Sequence, residues 1–109
     1  MDWRLRNDGG RLVATPTGRV DEDSWKDFSA HLTAAVSDAV AASVPLVIDL
    51  SGLEYMTSKG LRALTMAKTQ AGGAVTIYLA APKAAMRRIL AISRYDMLFP
   101  VVADIDAAS

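Results

Sequence analysis

Val44-Pro45-Leu46-Val47-Ile48-Asp49-Leu50-Ser51-Gly52-Leu53-Glu54-Tyr55-Met56-Thr57-Ser58-Lys59-Gly60-Leu61 is the stretch on which the reading of the fold turns. Its first half is a nearly unbroken apolar run with Pro45 only at the start, the pattern of a central strand covered on both faces. A polar loop follows, and from about Ser58 to Ala71 the apolar spacing becomes helical until Gly72-Gly73, residues free to take positive φ, end it. Two hydroxyls, Thr57 and Ser58, stand where that helix begins. A helix start presents unpaired N–H groups and a partial positive charge, so a hydroxyl there is both a natural cap and a place where an added phosphate would be stabilised.

Working outward, Trp3–Arg6 alternates apolar and basic residues, Asp8-Gly9-Gly10 supplies a turn, and Arg11–Thr15 resumes an extended pattern, which predicts an opening hairpin. Pro16 limits how far the second strand can donate to a ladder, and Gly18 breaks it. Asp21-Glu22-Asp23-Ser24 collects acidic and capping residues ahead of Trp25, Phe28, Leu32, Val36 and Val40, whose spacing predicts a long first helix over about Glu22–Ala42. Ala74–Ala81 reads as a second buried strand. Pro82 stands near the start of a third helix with Ala85, Met86, Ile89 and Leu90 on its apolar face. Leu98–Ala103 is a last short strand broken at Pro100. The order β-β-α-β-α-β-α-β implies one α/β domain over residues 1–109, a mixed, mostly parallel sheet of about five strands with helices packed against it.

Composition narrows the function. The chain has 109 residues, 51% of them apolar, which suits one globular core. Twelve basic residues balance twelve acidic ones, so no overall field draws the chain to nucleic acid or to an anionic membrane. Without cysteine there is no disulfide, thiolate catalysis or cysteine-held metal. No metal site, catalytic set or cofactor is expected. The start of the chain lacks the apolar core of a signal peptide and no apolar run is long enough to span a bilayer, so a cytoplasmic protein without direct membrane insertion is expected.

The same order and local words resemble the STAS domain, and specifically the bacterial anti-sigma factor antagonists. Gly18-Arg19-Val20-Asp21 is similar to the family's turn before its first helix. Asp49–Leu61 is similar to its signature, an acidic-leucine-serine strand end followed by Asp/Ser-Ser-Ser/Ala-Gly-Leu at the helix start, and Ile89–Phe99 is similar to its closing helix with an Asp-x-Leu-Phe ending. The resemblance implies a switch: the second hydroxyl position, Ser58 here, is phosphorylated by a GHKL-type serine kinase that is also the anti-sigma factor, and a PP2C-type phosphatase resets it. Phosphate adds about −1.5 to −2 charge and disrupts an apolar or acidic partner surface docked on the same spot. The partner surface implied comprises Gly18, Asp21, Asp23, Ser51, Gly52, Glu54, Tyr55, Met56, Thr57, Ser58, Lys59 and Arg62. The chain departs from the family at Thr57, which leaves a rival hydroxyl beside Ser58, at Lys59, where Ser or Ala is usual, and at Arg94, where the third helix often ends in Gly.

Other readings compete at single residues. Asp49 stands alone as an acid at a strand end and is expected to accept hydrogen bonds from the loop rather than to catalyse. His31, on the first helix away from any partner, reads as a surface residue. The acidic group at Asp21–Asp23 serves as a cap and as a contact for a basic partner. Lys83, Arg87, Arg88 and Arg94 give the third helix a basic, solvated side. Tyr55 and Met56, exposed-looking in a polar loop, point to docking. Two other functions remain open: a STAS subunit stabilising a membrane lipid ABC transporter complex without a phospho-switch, and a small-molecule sensor, which needs an apolar cavity beside the same loop.

Overall fold

The computed structural model describes residues 1–108. Six strands, three α-helices and two short 3-10 turns follow in the order β1 (Asp2–Asn7), β2 (Leu12–Val20), α1 (Trp25–Ala42), β3 (Leu46–Asp49), β4 (Leu53–Met56), α2 (Ser58–Ala71), β5 (Ile77–Ala80), α3 (Ala84–Ile92), a turn at Tyr95–Met97, β6 (Val101–Val102) and a turn at Ile105–Ala107. The sheet runs β1-β2-β3-β5-β6, with β4 paired to β2. Only the β1–β2 hairpin is antiparallel.

The pleat sorts the core into two layers. Leu12, Ala14, Leu46, Ile48, Ile77 and Leu79 point to one face, where Phe28, Leu32, Val36, Leu61, Leu64, Met86 and Leu90 of the three helices close over them. The alternate residues Val13, Val47 and Ala80 point to the other face and pack against Ala108 and Ile105 of the C-terminal turn. β3 is therefore covered on both faces, as its apolar run predicts, but by helices on one side and by a few terminal residues on the other. Arg11 holds that cover in place: its Nη1 donates to the carbonyls of Ile105 (2.8 Å) and Ala108 (2.7 Å), and its Nη2 to Asp106 Oδ1 (3.1 Å).

Three departures from expectation bear on the site, and the expected strands at Val44–Leu50, Ala74–Ala81 and Leu98–Ala103 are shorter, at Leu46–Asp49, Ile77–Ala80 and Val101–Val102. The second strand does not stop at Pro16 or Gly18 but runs to Val20, because it changes partner on the way. Leu12–Ala14 pair with β3 and Gly18–Val20 pair with β4, so Pro16, which cannot donate, falls in the gap between two ladders. Gly18, at φ 94°, takes the irregular register of the changeover. The loop before the second helix contains β4, a sixth strand. The first helix begins at Trp25 rather than Glu22, since Asp21–Ser24 are spent on a turn: the Trp25 N–H donates to the Asp21 carbonyl at 2.9 Å. Arg94 takes a left-handed φ of 63°, the conformation that suits glycine at this place, at a cost of about 1–2 kcal/mol.

Candidate functional site

The β4–α2 junction is part of the sheet. Asp49 Oδ1 accepts the Ser51 N–H at 3.0 Å, as expected of a loop-fixing carboxylate, and the Leu53 N–H donates to the Leu50 carbonyl at 3.1 Å, turning the chain from β3 into β4. The Gly18 N–H donates to the Gly52 carbonyl at 3.0 Å, and the Thr57 N–H donates to the Val20 carbonyl at 2.9 Å, so β2 grips both ends of β4. Gly52 lies against β2 so closely that a Cβ would come within 2.7 Å of Thr17 Cγ2.

At the helix start the two hydroxyls are unalike. Thr57 is the N-cap residue by backbone geometry (φ −77°, ψ 172°), but its side chain makes no capping bond, and its Oγ1 is buried without a hydrogen-bond partner. Ser58, the first helical residue, is exposed. Gly60, one turn further in, is buried against Met56 and Val20, leaving no room for a Cβ. Lys59 reaches away from the axis: its Nζ pairs with Glu22 Oε2 at 2.8 Å and lies 5.2 Å from the Trp25 ring centre. The pair ties the start of α2 to the turn before α1.

That turn is self-contained. Asp21 Oδ1 accepts the N–H groups of Asp23 (3.0 Å) and Ser24 (3.2 Å), and the one proton of the Ser24 hydroxyl is shared between the Arg19 carbonyl (2.9 Å) and Asp21 Oδ1 (3.1 Å). The backbone bond from Asp23, followed by the Ser24 hydroxyl, holds the Asp21 carboxyl below its ordinary range. An open depression joins Gly18, Asp21 and Asp23 to Glu54 of β4. Arg19 lies 4.8 Å from the centre of the Tyr55 ring.

The fold thus brings Gly18, Asp21, Asp23 and Glu54 together at one depression, and joins Ser58, Lys59 and Arg62 on the first turns of α2. Ser51, Glu54 and Tyr55 are exposed, and Gly52 is half-buried. Met56 is the exception among the partner-surface residues. It is only 2% exposed and belongs to the helix-side core, because β4 turns it inward under Gly60. Its expected exposure is corrected: only Tyr55 of that pair faces solvent. His31 is exposed but not isolated, since its ring stacks on Trp3 at 5.3 Å and helps lay β1 over α1. Sequence reasoning placed Trp25 in the apolar series of the first helix and passed over Met66; both line a groove with Lys59 and Arg62. The signal available was Met66 itself, an apolar residue one turn beyond Arg62 and off the stripe of Leu61, Leu64 and Ala67.

Comparison with known proteins agrees with this geometry. Residues 3–102 match the family model described as Mlab, STAS domain. An anti-sigma factor antagonist from Mycobacterium paratuberculosis superposes with a TM-score of 0.80 at 29% identity, over 98% of this chain and 89% of that one. A STAS domain protein from Planctomyces limnophilus gives 0.85 at 17% identity, over 99% and 95%. The Bacillus cell fate determinant SpoIIAA in its phosphorylated form gives 0.65 at 16% identity, over 97% and 96%. No curated protein matches the chain in sequence. Parallel strands gripping a helix start, the signature-like Asp49–Leu61 segment and a family match over nearly the whole length lead to one conclusion: the chain belongs to the STAS domain family.

Proposed function

We propose that the chain is an anti-sigma factor antagonist in a partner-switching pathway of the cytoplasm. Unphosphorylated, it binds a GHKL-type serine kinase that serves as the anti-sigma factor, through Ser51, Glu54, Tyr55, Ser58, Lys59 and Arg62 with help from Gly18, Asp21 and Asp23, and so frees the sigma factor. Phosphorylation of Ser58 ends the contact, and a PP2C-type phosphatase restores it. The chain supplies a docking surface and an acceptor hydroxyl, not a catalyst.

The observation that carries this reading is the contrast between the two hydroxyls: Ser58 is open to solvent in the first turn of α2, whereas the Thr57 Oγ1 is buried. A kinase needs the free hydroxyl, and a phosphate on Ser58 would lie where unpaired helix N–H groups favour it. The mycobacterial relative supports the general role. Incubation with the cognate kinase and ATP is expected to place one phosphate on the chain, lost in Ser58→Ala and retained in Thr57→Val. A phosphate mapped to Thr57 would show that the wrong hydroxyl was chosen.

The second reading, a STAS subunit that stabilises a membrane lipid-transport complex, is favoured by the Lys59–Glu22 pair, which fixes a cation in the first helical turn without any phosphate. It predicts co-purification with an ATP-binding transport subunit and no phosphorylation.

A further inference from the structure

Between α1 and α2, beside but not including Ser58, lies a groove of about 320 Å³ lined by Trp25, Ser29, Lys59, Arg62, Ala63 and Met66. Its floor is apolar. Met66 is 61% exposed and, with Trp25 and Ala63, gives the groove a contiguous apolar lining open to solvent. Both charged residues of the lining are cations. One carboxylate, Glu22, answers them through Lys59, while Arg62 is exposed and makes no ion pair among the described residues. Such a lining has the composition of a small-ligand site, an apolar body contact with a few placed polar groups.

We propose that this groove binds a small apolar anion, a medium-chain carboxylate or a compound of like chemistry. Its hydrocarbon part lies on Trp25, Ala63 and Met66, and its head is held by Arg62. A neutral or cationic amphiphile lacks the second half of this match: it gains the apolar contact but leaves the guanidinium unanswered or repels it. The occupant also meets Lys59 and Arg62, two residues of the proposed partner surface, so binding here and docking there draw on the same residues. The site itself does not depend on that function, and its test needs no partner protein.

The test is a titration of the isotopically labelled chain with sodium decanoate below its micelle concentration, followed by amide and indole N–H chemical shifts. Saturable shifts are expected at the Trp25 indole and along Trp25–Ser29 and Lys59–Met66. Arg62→Glu is expected to weaken binding by about tenfold, one charge-assisted contact being lost and one repulsion gained. Met66→Ser, on an exposed position that leaves the core intact, removes the apolar contact without adding charge and is expected to weaken binding severalfold, and decyltrimethylammonium is expected to give no saturable shifts in the groove. Shifts that never saturate, shifts centred on the exposed Ile92 and Met97 instead, or an unchanged affinity in Arg62→Glu would each overturn the proposal.

Discussion

At Gly60 the absence of a side chain decides how closely α2 can approach the sheet. A Cβ there would collide with Met56 and come within 2.8 Å of Val20 Cγ1, and both neighbours are buried with little freedom to yield. Gly60→Ala gains helix propensity of about 1 kcal/mol but overpacks the junction by about 1–3 kcal/mol, so a net loss of stability is expected in urea denaturation. An unchanged midpoint would mean that Met56 can swing aside. Asp21 shows the opposite economy, one carboxylate oxygen serving two N–H groups and a hydroxyl. Its lowered pKa means the folded state prefers the ionised form. That contribution is complete above the ordinary value of 3.8 and disappears as pH falls through the lower folded value. Asp21→Asn is therefore expected to destabilise the protein near neutrality, with the gap to the parent closing in acid denaturation curves below that range. The capping role was legible in the run Asp21–Ser24. The inward turn of Met56 was not, because burial of Leu53 and Met56 with Glu54 and Tyr55 exposed follows no alternating pattern.

Elements with strong punctuation were the most readable. The helix at Ser58–Ala71 has the bounds its sequence predicts, since Gly72, at φ 57°, ends it in the left-handed cap that glycine favours. β4 was invisible for the converse reason: four residues carry too little local preference, and their extended state comes from pairing with the far end of β2. Pro16 and Gly18 misled in the same way, being genuine breakers placed where the ladder changes partner. The C-terminal turn is another element made by contacts, and Arg11 makes most of them. Arg11→Ala removes two charge-assisted bonds to carbonyls and is expected to cost about 1–3 kcal/mol. It should also speed carboxypeptidase trimming past Ala108, which is fully buried in the parent. Trimming at the parent's rate would show that Ile105 and Ala108 hold themselves against Val13 and Val47.

For the molecule as a whole, the layer plan was accessible because apolar strands alternate with helices of clear periodicity, while the allotment of all three helices to one face was not. A Cα radius of gyration of 12.3 Å fits one compact domain of this length. Balanced net charge conceals a division: Asp21, Glu22, Asp23 and Asp27 gather at the start of α1, and Lys83, Arg87, Arg88 and Arg94 along and just beyond α3. The double pairing of β2 has a consequence for how any signal at Ser58 could act. Because the Thr57 N–H is tied to Val20, and Leu53 and Met56 of β4 are buried in the helix-side core, the start of α2 opens only if β4 leaves the far end of β2. The Thr57 amide is expected to exchange with deuterium well below the rate of the chain ends, at the rate at which β4 detaches from β2, and exchange as rapid as that of the chain ends would contradict this. The phosphate proposed for Ser58 would then change the charge of a surface that β2 and the core already hold in place, and a partner would read charge rather than shape.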